Sequence, residues 1–76
     1  MIESAEGFFM ELKIRDEYIK LGQALKAAGL VENGGEAKEA VQSGEVTVNG
    51  ETDTRRGRKC VAGDVIVFRG ETVVIK

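Results

Sequence analysis

The 76 residues contain no histidine, no proline and no tryptophan, and only one cysteine. Without histidine the chain has neither a Ser-His nor a Cys-His nucleophile pair, and no imidazole ligand for a metal. One thiol closes no internal disulfide and builds no thiolate zinc site, which fits a reducing, cytoplasmic setting. No apolar run approaches the roughly 18 residues that a membrane span requires. The opening "MIESAEGFFMELKI" lacks the basic start and unbroken apolar stretch of a secretory signal. Repeats, low-complexity tracts and linkers are also missing, so the expectation is one domain over residues 1–76, with no cofactor, no metal and no membrane partner.

What is present is ordinary for a globular chain: 42% hydrophobic and 32% charged residues. Folding at this length buries only about 60% of the unfolded surface, so the core is small. The net charge of -2 hides an uneven distribution. Residues 1–17 sum to -3, with five acids against Lys13 and Arg15, and the remainder sums to +1. An anionic partner is drawn to the second part.

Period-two alternation of Phe8, Met10, Leu12 and Ile14 predicts a half-buried N-terminal strand. Leu21, Leu25 and Ala28 then form one stripe of a short helix, with Gly29 placed for a left-handed cap and Leu30 for its apolar contact. Asn33 is a candidate N-cap for a second helix that buries Ala37, Ala40 and Val41 and closes at Gly44. Only a few residues separate the helices, so they must be neighbours. Beyond Glu45 the period returns to two. Asn49-Gly50 predicts a type I′ hairpin between "EVTV" and "ETDT". "RRGRKCVAGD" reads as a loop with a Gly63-Asp64 turn. The last strands, Val65 to Phe68 and Thr72 to Ile75, join across Arg69-Gly70-Glu71. Both are apolar on two sides, which predicts cover on both faces of the sheet. The order of elements gives an α+β class: two short helices packed on a small, mainly antiparallel sheet, with the strand of residues 1–17 added to a core of residues 18–76.

Glu36 and Glu39 look like solvated surface, and "NGGEAK" lacks the spacing of a phosphate loop. Cys60 follows two cations, which lower a thiol pKa, but it leads into a structured segment and reads as a small core hydrophobe. Tyr18, ahead of the first helix, reads as core or staple packing. The basic residues remain. Arg55, Arg56, Arg58 and Lys59 fall within five positions just past the hairpin, while Lys20, Lys26 and Lys38 lie on or beside the helices. Lys26 and Lys38 are unremarkable singly, and Glu51, Asp53 and Glu39 stand near as pairing partners. The loop is different, because like charges so dense repel, and the planar arginine fork suits phosphate oxygens.

The residues from Lys20 to Ile66 carry a resemblance. Leu21 and Leu25 leading to Ala28-Gly29-Leu30, the Ala37-Lys38 pair, Gly44 followed by "VTVNG", and "GDVI" from Gly63 together resemble the S-four domain, or αL motif. That module is shared by a small-subunit ribosomal protein, pseudouridine synthases, tyrosyl-tRNA synthetases and heat-shock ribosome-binding proteins. The match covers 47 of the 76 residues. Gly34-Gly35 and "TRRGRK" resemble in particular the small stand-alone bacterial members, which are implied to be ribosome- or RNA-associated. The resemblance implies a non-catalytic RNA-binding protein that recognises structured RNA such as ribosomal RNA; a monomer is expected. Carried over by position, contact falls to Lys20, Lys38, Arg55, Arg56, Arg58 and Lys59. Many members have Ser-Arg at the entry to the second helix, where this chain has Asn33-Gly34, and that shifts weight to the loop. A competing reading from another class is a protein-interaction adaptor whose basic loop docks an acidic protein.

Overall fold

The structure is a computed structural model that describes residues 9–76. Strand β1 (Phe9–Leu12) is followed by β2 (Ile19–Lys20), helices α1 (Leu21–Ala27) and α2 (Gly34–Gln42), and strands β3 (Val46–Val48), β4 (Glu51–Thr52), β5 (Lys59–Cys60), β6 (Val65–Phe68) and β7 (Glu71–Ile75). Five strands form one sheet in the order β1-β7-β6-β3-β4, and β2 pairs with β5 in a separate two-stranded ladder. All pairings are antiparallel except β1 on β7. The α+β architecture expected from the order of elements is therefore present.

Both helices end where local chemistry stops them. In α1 the Leu30 amide donates to the Leu25 carbonyl and the Gly29 amide to that of Lys26, each at 3.0 Å. This is the full Schellman pattern, and Gly29 supplies its φ of 78°. In α2 the Asn33 side chain accepts the Glu36 amide at 2.9 Å, and the Glu36 carboxylate in turn accepts the Glu32 amide at 2.6 Å. One orphan donor of the helix start, the Glu36 amide, and the amide just ahead of the cap are thus satisfied by residues near in sequence.

The core lies between the helix pair and one face of the sheet. Leu21, Leu25 and Val41 from the helices meet Val46, Ile66, Val73 and Ile75 from the strands, all essentially without exposed surface. Met10, Leu12 and Ile14 pack against it half-buried, on the face that the alternation assigned to them. Phe8 lies outside the described residues. Phe9, on the opposite side of β1, is 65% exposed.

Three expectations are corrected. The sheet is buried on one face only: Ile66, Phe68, Val73 and Ile75 are buried, whereas Val65, Val67 and Val74 alternate with them and stay half-exposed. Valine tolerates that position because a β-branched side chain suits a pleated, half-buried surface. Second, the stretch read as one loop from Arg55 to Asp64 contains β5, whose Lys59 and Cys60 pair with Lys20 and Ile19. A strand of two residues leaves no periodicity to read. Third, the last hairpin turns over Arg69 and Gly70 alone, with φ of 52° and 79°, and Glu71 already faces Phe68 in the ladder.

Asn49 does more than turn the first hairpin. It and Gly50 take φ of 55° and 86°, as the sequence predicts. Its side chain also donates to Asp64 at 3.0 Å and accepts the Val65 amide at 3.0 Å, tying the hairpin to the Gly63-Asp64 turn 15 residues on. Replacing Asn49 with alanine should cost roughly 1.5–3 kcal/mol, from the left-handed backbone and two lost hydrogen bonds. Asn49→Gly keeps the turn and should cost about half as much, as read by urea unfolding; equal stability of Asn49→Gly and wild type would refute the bridge.

Candidate nucleic-acid interface

The basic loop is stitched to α1 through its backbone. The first two amides of α1, which have no partner inside the helix, donate to loop carbonyls: Leu21 to Arg58 at 2.8 Å and Gly22 to Arg56 at 3.0 Å. The missing side chain at residue 22 leaves room for the Arg56 side chain, while the loop backbone itself stands at ordinary contact distance. A Cβ there would stand 2.6 Å from Arg56 Cγ. One residue earlier, the β2–β5 ladder sets Lys20 directly opposite Lys59.

Side chains hold the rest of the loop around Asp53, which is only 9% exposed. Its carboxylate accepts the Arg55 amide at 2.9 Å, the Arg55 side chain at 3.1 and 2.8 Å, and Arg58 Nε at 2.8 Å. Arg58 reaches on to Asp64 at 3.6 Å, and its side chain keeps 26% of its surface. Asp64 also accepts the Val61 amide at 2.9 Å. The Arg55 hydrogen bond is the main reason the Asp53 pKa is lowered, and it outweighs the opposing effect of burial. For Asp64, burial works against ionisation, and the Val61 amide, Asn49 and Arg58 together overcome it.

The six basic residues singled out from the sequence therefore have different situations. Arg58 is half-buried and shared between two carboxylates. Arg55 is chelated by Asp53, yet its side chain stays 73% exposed. Lys20, Lys38, Arg56 and Lys59 pair with no carboxylate among the described residues. Lys59 instead sits over the Tyr18 ring, 4.9 Å from its centroid. Tyr18 is 39% exposed, so of the two expectations, core or staple packing, the core one is corrected.

Lys20 and Arg56 line a groove of about 290 Å³ where α1, the first turn of α2 and the loop meet, together with Gln23, Lys26 and the backbone of Gly34 and Gly57. Lys38 lies outside that groove, one helical turn beyond Gly34 on the same side of α2. Sequence reasoning set Lys26 aside as an ordinary surface charge and passed over Gln23 and Gly22. Gln23 and Lys26 share a face by their i, i+3 spacing, which is a readable signal; the crowding at Gly22 is not. Glu36 and Glu39 are exposed, as expected, and line an open groove with Glu45 and Arg69. There Arg69 pairs with Glu45 at 2.6 Å and lies over the Phe68 ring.

Cys60 is fully buried, and burial pushes its thiol pKa up despite the neighbouring Arg58. It is the core hydrophobe expected. Among the described residues no cluster of histidine, cysteine or carboxylate side chains is suited to a metal, and no helix is long and apolar enough to cross a membrane.

A helix hairpin seated on a mainly antiparallel sheet, with a basic loop sewn to the start of the first helix, defines a small α+β module of the αL kind. A family model for the S4 domain matches residues 12–76, and the chain belongs to that family. The match includes the 20–66 segment that carried the resemblance and begins eight residues earlier. In Bacillus subtilis (strain 168) a relative described as "Probable ribosome maturation protein RlbA" is 48% identical over 59 residues, covering 78% of this chain and 83% of that protein. The "Putative RNA-binding protein YbcJ" of Escherichia coli (strain K12) is 38% identical over 58 residues, 76% of this chain and 83% of the relative. A solution structure of Escherichia coli YbcJ, described as revealing an αL motif involved in RNA binding, superposes with a TM-score of 0.71 at 32% identity, covering 99% of this chain and 95% of that one.

The lowered pKa values of Asp53 and Asp64 make the loop acid-sensitive. Their contribution is complete above the unfolded carboxylate pKa near 3.9 and fades as pH falls through the lower folded values. Thermal melts should therefore hold steady from pH 7 to about 5 and drop below about 4. Asp53→Asn, which leaves Arg58 half-buried without its nearest anion, should cost roughly 2–3 kcal/mol at pH 7 and flatten the acid limb. An unchanged melting profile in that variant would contradict the central place of Asp53.

Proposed function

We propose that this protein is a non-catalytic RNA-binding protein that recognises structured RNA, such as ribosomal RNA, in the cytoplasm and as a monomer. The observation that carries the reading is the juxtaposition of Lys20 and Lys59 across the β2–β5 ladder, with Arg56 and the groove beside them. Like charges directly opposed on a sheet are destabilising unless an anion lies between them. A phosphate backbone supplies that anion along its whole length. The relatives agree in kind, one being named for ribosome maturation and the other for RNA binding.

Binding in this reading is phosphate neutralisation plus recognition of helical shape, since A-form RNA offers side chains its backbone and shallow minor groove. Lys20, Arg56 and Lys59 contact phosphates from the groove and ladder, and Lys38 extends the contact along α2. Arg55 presents its exposed edge while Asp53 fixes its position. Arg58 acts as a positioning residue, because its guanidinium is turned inward to Asp53 and Asp64. Gly34 leaves open space in the groove, with nothing within 4 Å of a built Cβ.

With four to six phosphates contacted, log K against log salt should slope on the order of -3 to -5. The combined Lys20→Ala, Arg56→Ala and Lys59→Ala variant should flatten the slope by about 3 and melt within a few degrees of wild type, whereas Arg58→Ala should lose stability as well. Gly34→Arg should tighten binding severalfold and steepen the slope by about 1. Wild-type affinity in the triple variant, by filter binding to a ribosomal RNA hairpin, would sink the proposal.

Gly22→Ala separates placement of the loop from its charge. Alanine favours the helix by about 1 kcal/mol over glycine, which offsets the cost of moving Arg56, so stability should change little. RNA affinity should still fall severalfold, because Arg56 is displaced. Undiminished affinity would show that the loop's position does not matter.

A further inference from the structure

A second groove, of about 520 Å³, lies between the segment after β1 and the outer side of α1. Lys13, Arg15 and Lys26 line it with Tyr18 and Gln23, and Asp16 is its one carboxylate. It is continuous with the groove of Lys20 and Arg56, because Gln23 and Lys26 border both. Three cations against one anion favour a polyanion here, although the first 17 residues are acidic in sum. None of those three cations pairs with a carboxylate among the described residues.

Tyr18 gives the groove a second kind of chemistry. Among the described residues it is one of the few large apolar side chains left exposed; it lines this groove, and Lys59 lies over its ring. A ring exposed at 39% and set among cations is suited to a nucleobase, whose flat face stacks on the aromatic while its phosphate meets the charges. Gln23 adds an amide that donates and accepts at a base edge. Inside a duplex every base face is covered by its neighbours, so a base that stacks in the groove is an unpaired one.

We propose that Tyr18 and the groove of Lys13, Arg15, Gln23 and Lys26 form a subsite for an unpaired nucleotide that extends from RNA held in the neighbouring groove. The inference rests on the RNA-binding reading above and narrows it to a duplex with a single-stranded junction or end. It also assigns Lys13 and Arg15, from the part of the chain that charge counting sets aside, to the bound strand.

The chain has one tyrosine and no tryptophan, so its intrinsic emission reports Tyr18 alone. The experiment titrates the full chain with a blunt RNA hairpin closed by a non-nucleotide linker, which has no unpaired bases, and with the same hairpin carrying three unpaired nucleotides at either end. Wild type should bind an extended form at least about fivefold more tightly, the gain of one stacked base. Its emission should be quenched by that RNA and not by the blunt one. Tyr18→Phe should keep the gain, and Tyr18→Ala should abolish it while leaving blunt-hairpin affinity unchanged. Equal affinity for the two RNAs, absent quenching, or a gain that survives Tyr18→Ala would overturn the subsite and leave the wider reading standing. Failure to bind either RNA would overturn both.

Discussion

The carboxylate of Asp53 is the constraint on which the interface depends. It lies nearly buried at the end of β4, anchored through its own amide to the Val46 carbonyl at 3.1 Å. From there it gathers two arginines and one loop amide. A loop of dense positive charge resists compaction by self-repulsion, and a desolvated anion at its root is what lets it fold back on itself. Arg58 passes the constraint on to Asp64, Asp64 to Asn49, and Asn49 to the first hairpin, so loop, turn and hairpin form one hydrogen-bonded unit. The loop carbonyls then become fixed acceptors for the start of α1. The helix and the loop thus order one another, and neither cap nor loop conformation is local.

This arrangement explains why an acidic chain places so much positive charge in one stretch. Part of that charge is internal: Arg55 and Arg58 neutralise Asp53, and Arg58 also faces Asp64. Lys20, Arg56 and Lys59, which pair with no carboxylate among the described residues, stand on the side where the helix start and ladder converge. A charge count treats all four loop cations alike, but the structure divides them into those that shape the loop and those that face outward. The same division holds at the other end of the sheet, where Arg69 is taken up by Glu45 and Phe68. Basic residues of the same type therefore differ in availability according to which carboxylates the topology brings near.

The S4 family membership fits this economy. A fold of two short helices on a small sheet buries little apolar surface, and the fully buried side chains are few and of modest size. Its polar network around Asp53 supplies order that the core alone would not give to a loop so exposed. The cost of that order is acid sensitivity at two carboxylates, whose pKa values are both lowered.

Much of the fold was legible in the sequence because it rests on local rules. The stripe of Leu21, Leu25 and Ala28, the Asn33 cap, the Gly29 stop and the Asn49-Gly50 turn each depend on residues within one or two turns of one another, and all appear as read. The list of basic candidates was legible too, since charge density along the chain needs no fold to be seen. What the sequence could not decide was anything set by distance in space. The two-residue ladder of β2 and β5 has no period, the crowding at Gly22 comes from an arginine 34 residues away, and the pairing of Arg58 with Asp64 depends on how two turns meet. Residue types and local spacing determined the elements and the stock of charge. Only the tertiary structure decided which charges are consumed in holding the loop, which remain free, and that Tyr18 lies at their edge, because electrostatic pairing and exposure follow proximity in three dimensions.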